Sequence, residues 1–460
     1  MSAQALDAFR ETLRGEVIIP GDMNYEEERT IYNAMIDKRP GLIVRCHNVA
    51  DVVHAVNFGR DQGLETAVRS GGHNGPGLAL VDDGLVIDLS PMKGIRVDPR
   101  SKRVRVEPGC TWGDVDHATH AFGLATVSGV ISTTGVGGLT LGGGHGYLTR
   151  KYGLTIDNLV SADVVLADGH LVQASEHENS DLFWALRGGG GNFGVVTSFE
   201  YRLHPVRSVV AGPLFWPMDE LETTLRWYRE WSRGAPEDVY AFYLTAAVPA
   251  GPPFPEELHG RKVCGLLWSI TLPEDEADAV IQAARDVAEP LFEFTGPMPY
   301  PQLQGMFDGL YPPGDQWYWK GHFVEEISDE AIAEHIRHGS VPTSKSTMHL
   351  YPVDGAPQRI DPGDTAWRHR DANWSMVIAG VDPDPSNVPL IRRWARDYWE
   401  ALIPHTADGA YVNFMMEEGN DRIRATYGDN YERLERVKDR YDPENFFHVN
   451  QNIEPVGGRV

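Results

Sequence analysis

The sequence predicts an α+β chain of two modules, and three observations carry that reading. Up to about residue 205, short β-branched runs alternate with helical stretches and glycine turns. Beyond it, long amphipathic stretches are separated by runs suited to one antiparallel sheet. Tryptophan changes at the same place: of twelve, only Trp112 and Trp184 precede the boundary. With 460 residues, 42% of them hydrophobic and 23% charged, the chain has ample material for more than one packed core.

Taken in order, the first sixteen residues read as an acidic amphipathic helix without the basic-then-apolar layout of a signal peptide. Strands are expected at Gly41–Arg45, Glu65–Arg69, Leu85–Leu89, Arg103–Glu107, Asp163–Ala167 and Gly194–Phe199. Helices follow at Asp219–Trp231, Asp275–Ala288 and Val388–Leu402. The last fifty residues give a strand-like Ala410–Met415, a helix about Asn430–Arg440 and a stop at Asp442-Pro443. The expected division is 1–205, 206–408 and 409–460, the last segment returning to the first module.

Charge and cysteine narrow the function. Lys+Arg number 41 against 66 Asp+Glu, a net charge of -25 that repels phosphate backbones and anionic lipid. No apolar run reaches the roughly 18–20 residues of a membrane span. Cys46, Cys110 and Cys264 are too few and scattered for a disulfide framework or a zinc site. His117 and His120, with Asp114 and Asp116, read as one solvated helix face and not as metal ligands. The expectation is a cytoplasmic protein with no metal, nucleic-acid, membrane or obligate protein partner.

The glycines carry more. One literal G-x-G-x-x-G occurs, Gly189–Gly194, but a helix precedes it and a strand follows, the reverse of a Rossmann turn. No P-loop exists. Four glycine-rich turns remain: Arg69–Gly75, Gly135–Gly138, Gly142–Gly146 and Gly188–Gly194. Such turns either wrap a long diphosphate ligand with backbone N–H groups or serve as tight turns in a β-rich module.

Four ordered motifs decide between these: Arg69-Ser-Gly-Gly-His73, Ser128–Asn158, Arg187–Thr197 and Tyr441–Ile453. Together they resemble the berberine-bridge-enzyme-like branch of the vanillyl-alcohol-oxidase flavoproteins. The resemblance implies a two-domain PCMH-type FAD-binding fold: residues 1–205 bind FAD, and 206–408 form a substrate domain of antiparallel sheet covered by helices. It further implies that the FAD diphosphate lies along Arg69, Ser70, Gly71 and Gly72, with a covalent link through His73. Asn74, Gly77, Ser128, Gly129, Thr133, Gly137, Gly138 and Gly142, Gly143 and Gly144 are implied to pass close to the cofactor. Asp157, Asn158, Gly191, Asn192, Gly194 and Val196 match its adenine and diphosphate side, while Asn413 and Asn450 match segments that close over it.

Departures from the family pattern shape the mechanism. Many relatives add a cysteinyl link, but Ile131 stands where that cysteine would be, so a link through His73 alone is expected. Cys110 reads as a small buried hydrophobe. Relatives that oxidise alcohols carry a tyrosine at the position of Phe414 or a carboxylate near Met376, and this chain has neither. The resemblance leaves Tyr152 and Tyr411 as candidate catalytic residues, and Tyr152, Trp374, Met376 and Phe414 as the substrate pocket. The function implied is an FAD-dependent oxidase passing hydride from a small, aromatic or heterocyclic alcohol or amine to flavin N5, with O2 returning H2O2. Rival readings are a dehydrogenase with another electron acceptor, and a flavin-bearing cyclase or binding protein without net redox turnover.

Overall fold

The computed structural model describes residues 2–458. Its first layer is a four-stranded sheet in the order Glu16–Ile18, Leu42–Arg45, Leu85–Asp88 and Thr66–Arg69, the last three parallel. Parallel strands need a covered crossover. The helix Val49–Asp61 supplies it, burying Val52, Ala55 and Val56 against Leu42, Val44, Leu85 and Ile87. Asn48 caps that helix by accepting from the Asp51 N–H at 3.1 Å.

A five-stranded antiparallel sheet follows, ordered Ile95–Asp98, Arg103–Val106, Val195–Arg202, Leu159–Val165 and Leu171–Ser175. The helices Asn420–Tyr427 and Tyr431–Tyr441, from the far end of the chain, share one core with it through Tyr427, Leu434 and Val437.

An eight-stranded sheet occupies the second half. Its central strands are Val239–Ala247, Thr347–Pro352 and Trp374–Asp382, paired antiparallel. The helices Leu221–Ser232, Glu274–Arg285, Asp329–His338 and Val388–Leu402 cover one face. Strand alternation sends Met348, Leu350, Trp374, Met376 and Ile378 into that helix-side core. Tyr351, Val377 and Ala379 point the other way, toward the first half of the molecule.

Two expectations need correction. Residues 410–415 do not form a strand; Val412–Phe414 is a single 3-10 turn. On the helix Trp112–His120, Asp116 is not solvated but 2% exposed, with Gln304 Nε2 donating to Oδ2 at 3.1 Å and Oδ1 unpartnered. Burial pushes its carboxyl up to about 7. A carboxyl raised in the folded state favours folding in acid, and that advantage is lost as pH climbs from about 4 to about 7. Asp116→Asn is therefore expected to raise the melting temperature more at pH 8 than at pH 5; scanning calorimetry at both pH values checks this.

No helix among the described residues is long and apolar enough to cross a membrane. Nor does any group of three or more His, Cys, Asp or Glu among them stand ready to hold a metal ion.

Candidate functional site

A cleft of about 340 Å³ lies between the glycine loops of the first half and the open face of the large sheet. That is within the roughly 300–1,000 Å³ of small-molecule sites. Ser70, Gly71, Gly72, His73 and Asn74 form one wall, in the loop that leaves strand Thr66–Arg69. Gly129, Gly137 and Gly138 line a second, and Gly191, Asn192, Gly194 and Val196 a third. Tyr411, Asn413, Phe414 and Asn450 close it from the chain's last fifty residues. Ile131 also faces the cleft, whereas Cys110 lies in the core behind, where burial pushes its thiol up to about 12.

The loops meet because side chains are missing. A Cβ on Gly71 would sit 2.5 Å from Gly135 Cα, so the 70–73 loop touches, backbone to backbone, the N-cap of the helix Val136–Gly142, where the sequence suggested a turn at Gly135–Gly138. In front of Gly138 and Gly191 a Cβ would meet nothing within 4 Å. The wall there is bare backbone facing open space, which suits a diphosphate chain. Nearby, Asn450 Oδ1, Trp319 Nε1 and His145 Nδ1 are buried without a protein partner. The lining has no Asp, Glu, Lys or Arg among the described residues, so an anionic ligand would be held by backbone dipoles. These residues fit FAD.

His73 stacks on Tyr32 with ring centroids 3.9 Å apart and 18° between planes. Burial pulls its imidazole down to about 4, outweighing a hydrogen bond to the backbone of Thr133. It is therefore neutral at physiological pH, with a nitrogen lone pair available. Tyr411 Oη accepts from the Gly144 N–H at 3.2 Å and from Asn413 Nδ2 at 2.8 Å; Asn413 Nδ2 also donates to Gly138 O at 3.1 Å. Burial raises the Tyr411 phenol.

Several expected site residues stand outside the cleft. Arg69 turns its guanidinium onto Asp88, at 2.9 Å from Oδ2, and anchors the loop from behind. Gly77 is a turn residue packed on Ile36, and Ser128 Oγ accepts from Gln304 Nε2 at 2.5 Å. The Thr133 hydroxyl is buried off the cleft, although its backbone supports His73. Gly142, Gly143 and Gly144 form a second layer; Gly143, at φ +124°, admits the Trp367 ring, which a Cβ would meet at 2.3 Å. Asp157 is buried in an ion pair with Arg370 at 2.8 Å, and Asn158 Nδ2 donates to the Tyr152 and Leu154 carbonyls. Both brace the chain near Tyr152 and touch no cleft.

The substrate-pocket expectations fare unevenly. Phe414 lines the cleft, but Tyr152 lies in the short helix Thr149–Tyr152 and stacks on His204 at 3.9 Å. Trp374 and Met376 face the helices, and Trp374 Nε1 donates to Tyr228 Oη at 3.1 Å. Val377, one position on, lines the cleft in their place. Sequence reasoning missed Tyr32, Trp317, Trp319, Thr347, His349 and Tyr351, all in the lining. The last three alternate with Met348 and Leu350, a period-two signal that was available.

On strand Thr347–Pro352, Thr347 Oγ1 donates to Thr245 O at 2.9 Å and contacts His349 Nε2 at 2.8 Å. His349 Nδ1 lies 2.5 Å from Tyr351 Oη. Burial pulls His349 and His145 each down to about 3 and pushes the Tyr351 phenol up. Tyr351 sits 6.0 Å, ring to ring, from Phe414.

Comparison with known proteins agrees with this geometry. Residues 40–175 match the model of an FAD binding domain, and 410–454 match that of berberine and berberine like proteins. The chain is 33% identical to an FAD-linked oxidoreductase of Dictyostelium discoideum, over 99% of this chain and 98% of that one. It is 32% identical to (R)-6-hydroxynicotine oxidase of Paenarthrobacter nicotinovorans, over 97% and 98%. The crystal structure of 6-hydroxy-D-nicotine oxidase from Arthrobacter nicotinovorans superposes with a TM-score of 0.86 at 30% identity, covering 96% of this chain and 98% of the other.

Proposed function

The chain belongs to the berberine-bridge-enzyme-like FAD-linked oxidoreductases, and from that premise we propose an oxidase for a small alcohol or amine on an aromatic or heterocyclic frame. When bound, FAD would supply the hydride acceptor, and its reoxidation by O2 would yield H2O2. The observation that carries the reading is the composition of the cleft: glycine loops along one side, and Tyr32, Tyr311, Trp317, Trp319 and Phe414 along the other.

Each wall has a task. The backbone of Ser70–Gly72, Gly137–Gly138 and Gly191–Asn192 would hold the diphosphate, where close approach and N–H dipoles replace cationic side chains. His73, neutral and on the cleft wall, would attach the flavin ring through an imidazole nitrogen. Ile131 offers no second nucleophile, so the link is single. Asn413 and Asn450 would seat the closing segment against the cofactor. The aromatic wall presents flat apolar area and excludes water, which favours a planar substrate. A relative that is an oxidase of 6-hydroxynicotine supports a heterocyclic frame over a carbohydrate.

The test is a panel of benzylic and pyridyl alcohols and amines, with 6-hydroxynicotine and xylobiose as references. Oxygen-free mixing should bleach the flavin band near ~450 nm with at least one aromatic or heterocyclic member, and air should then give one peroxide per substrate oxidised. Bleaching without peroxide makes the protein a dehydrogenase. No bleaching by any member, with the flavin present, removes the redox reading.

A further inference from the structure

We propose that Tyr351, backed by His349, is the proton acceptor of the reaction. The proposal rests on the oxidase reading above and supplies the base that Phe414 and Met376 lack. An alcohol cannot give up hydride without also losing its hydroxyl proton, so a cleft serving alcohols needs such a group.

The cleft offers few alternatives. Its titratable side chains among the described residues are three histidines and a handful of tyrosines. His73 is spoken for by the flavin. His145 Nε2 is engaged with Ser375 Oγ at 3.1 Å, and its unpartnered Nδ1 has no neighbour to relay a proton onward, unlike Tyr351. Tyr32 donates its hydroxyl hydrogen to the Tyr311 carbonyl at 2.7 Å, and Tyr311 donates to the Lys345 carbonyl at 3.2 Å. A carbonyl takes a hydrogen bond but not the proton. Tyr411 Oη is surrounded by donors. Tyr351 alone has its hydroxyl against a base.

Counting hydrogens fixes the direction of the relay. The one hydroxyl hydrogen of Thr347 goes to Thr245 O, so Thr347 Oγ1 accepts from His349 and the ring hydrogen sits on Nε2. Nδ1 is then unprotonated and accepts from Tyr351 Oη at 2.5 Å. The Tyr351 oxygen keeps a lone pair for a substrate O–H or N–H, beside Phe414.

In the step, the substrate O–H or N–H bond breaks and its proton bonds to Tyr351 Oη. The proton already on Tyr351 passes to His349 Nδ1, and the imidazolium charge is met by Thr347 and the Thr245 carbonyl. The substrate C–H hydrogen leaves with its electron pair to the flavin, the oxidant of the family's reaction. Substrate loses one proton and one hydride, and the protein gains one proton. His349 is the positioning residue here, and Tyr351 the catalytic one.

The surroundings set the pH behaviour. His145, Tyr147, Tyr240 and Tyr311 face the pair, with Phe242 4.8 Å from the His349 ring; the charged pair Lys345–Asp315 stands beyond Tyr311. With His349 neutral, its Nδ1 lone pair stays open across the neutral range, while burial, which pulls the imidazole down to about 3, allows the imidazolium only transiently as the hydride leaves.

Three arms on the flavin-loaded enzyme test this. Nitrogen NMR of histidine-labelled protein should give a His349 ring with hydrogen on Nε2 only, unchanged from about pH 5 to pH 9, and Tyr351→Phe should shift its Nδ1 signal. Hydrogen on Nδ1, or a charged ring near pH 7, overturns the relay whether or not a substrate is known. Second, Tyr351→Phe should cut the rate of flavin reduction by the most active alcohol of the panel by about 10²–10⁴-fold with flavin content unchanged; a full rate overturns the proposal. Third, His349→Gln keeps the packing but removes the base. Its rate should become dependent on ionising Tyr351 and rise about tenfold per pH unit on the alkaline side, where the parent is flat. A profile as flat as the parent's overturns the role of His349. If neither the alcohols nor the amines of the panel reduce the flavin, the oxidase reading fails while the NMR arm still judges the relay.

Discussion

A His73→Ala protein is expected to release all of its flavin into the supernatant on acid precipitation, where the parent protein keeps it in the pellet. The expectation follows from position and protonation together. His73 stands on the cleft wall, stacked on Tyr32, and burial holds it neutral with a pKa of about 4. A neutral imidazole is the nucleophilic form, and the Gly71-Gly72 turn before it carries the ring into the cleft. No cysteine offers a second attachment: Ile131 lines the cleft without a reactive atom, and the Cys110 thiol, pushed up to about 12, lies in the core. The substituted enzyme should still bind FAD, since the glycine walls are untouched, but with a weaker electron acceptor and a slower reductive step. Absorption of pellet and supernatant after acid treatment reads the result directly. Flavin that stays with the H73A pellet would mean another residue makes the bond.

Asp442→Ala should cost about 3–5 kcal/mol of stability, the range for stranding one charge of a buried pair. Lys438 and Asp442 are both 0% exposed, with Nζ 2.6 Å from Oδ2. The same ammonium donates to Asn192 O at 2.7 Å and to Phe447 O at 3.0 Å, and the carboxylate accepts from the Phe446 and Phe447 N–H groups, each at 2.8 Å. One pair thus ties the helix Tyr431–Tyr441 to the Asn192 loop and to the segment carrying Asn450. Without the carboxylate, the ammonium keeps two carbonyls but no counter-charge, and its already lowered pKa falls further. A melting temperature lower by about 3–5 °C and a fall in bound flavin are expected, since Asn192 and Asn450 line the cleft. Lys438→Met with Asp442→Leu removes both charges and should recover most of the loss; thermal melts of the three proteins check the set.

What could be read before the fold was known follows the physics of each signal. The glycine loops were legible because two backbones touch at Gly71 and Gly135, and only glycine permits it. The place of His73 on the cleft wall was legible because it ends the Arg69–Gly72 loop of the first motif. The substrate side was not. On a strand, one residue of misalignment inverts the face, which sent Met376 to the helices and brought Val377 to the cleft. Tyr411–Phe414 has the composition of a strand, yet Asn413 reaching Gly138 and Tyr411 bends it into a single turn, a choice made by distant contacts. Asp157 and Asn158 sit in a motif shared with flavoproteins, but their partners, Arg370 and His204, are revealed only by folding. Thr347, His349 and Tyr351 become one relay through strand alternation, and their chemistry depends on the Thr245 carbonyl of a neighbouring strand.

The Lys438–Asp442 tie also sets a timetable for assembly. The Ser70–His73 loop is made early in synthesis and its opposite wall, Phe447 to Gln451, long afterwards, and Lys438 holds that later wall to Asn192 and Phe447. The cofactor cleft is thus complete only once Phe447 to Gln451 is in place, and cofactor loading is expected to depend on that segment. In a flavin-starved cell some molecules would lock shut empty, and adding flavin to them afterwards would restore colour only as fast as that terminal segment reopens.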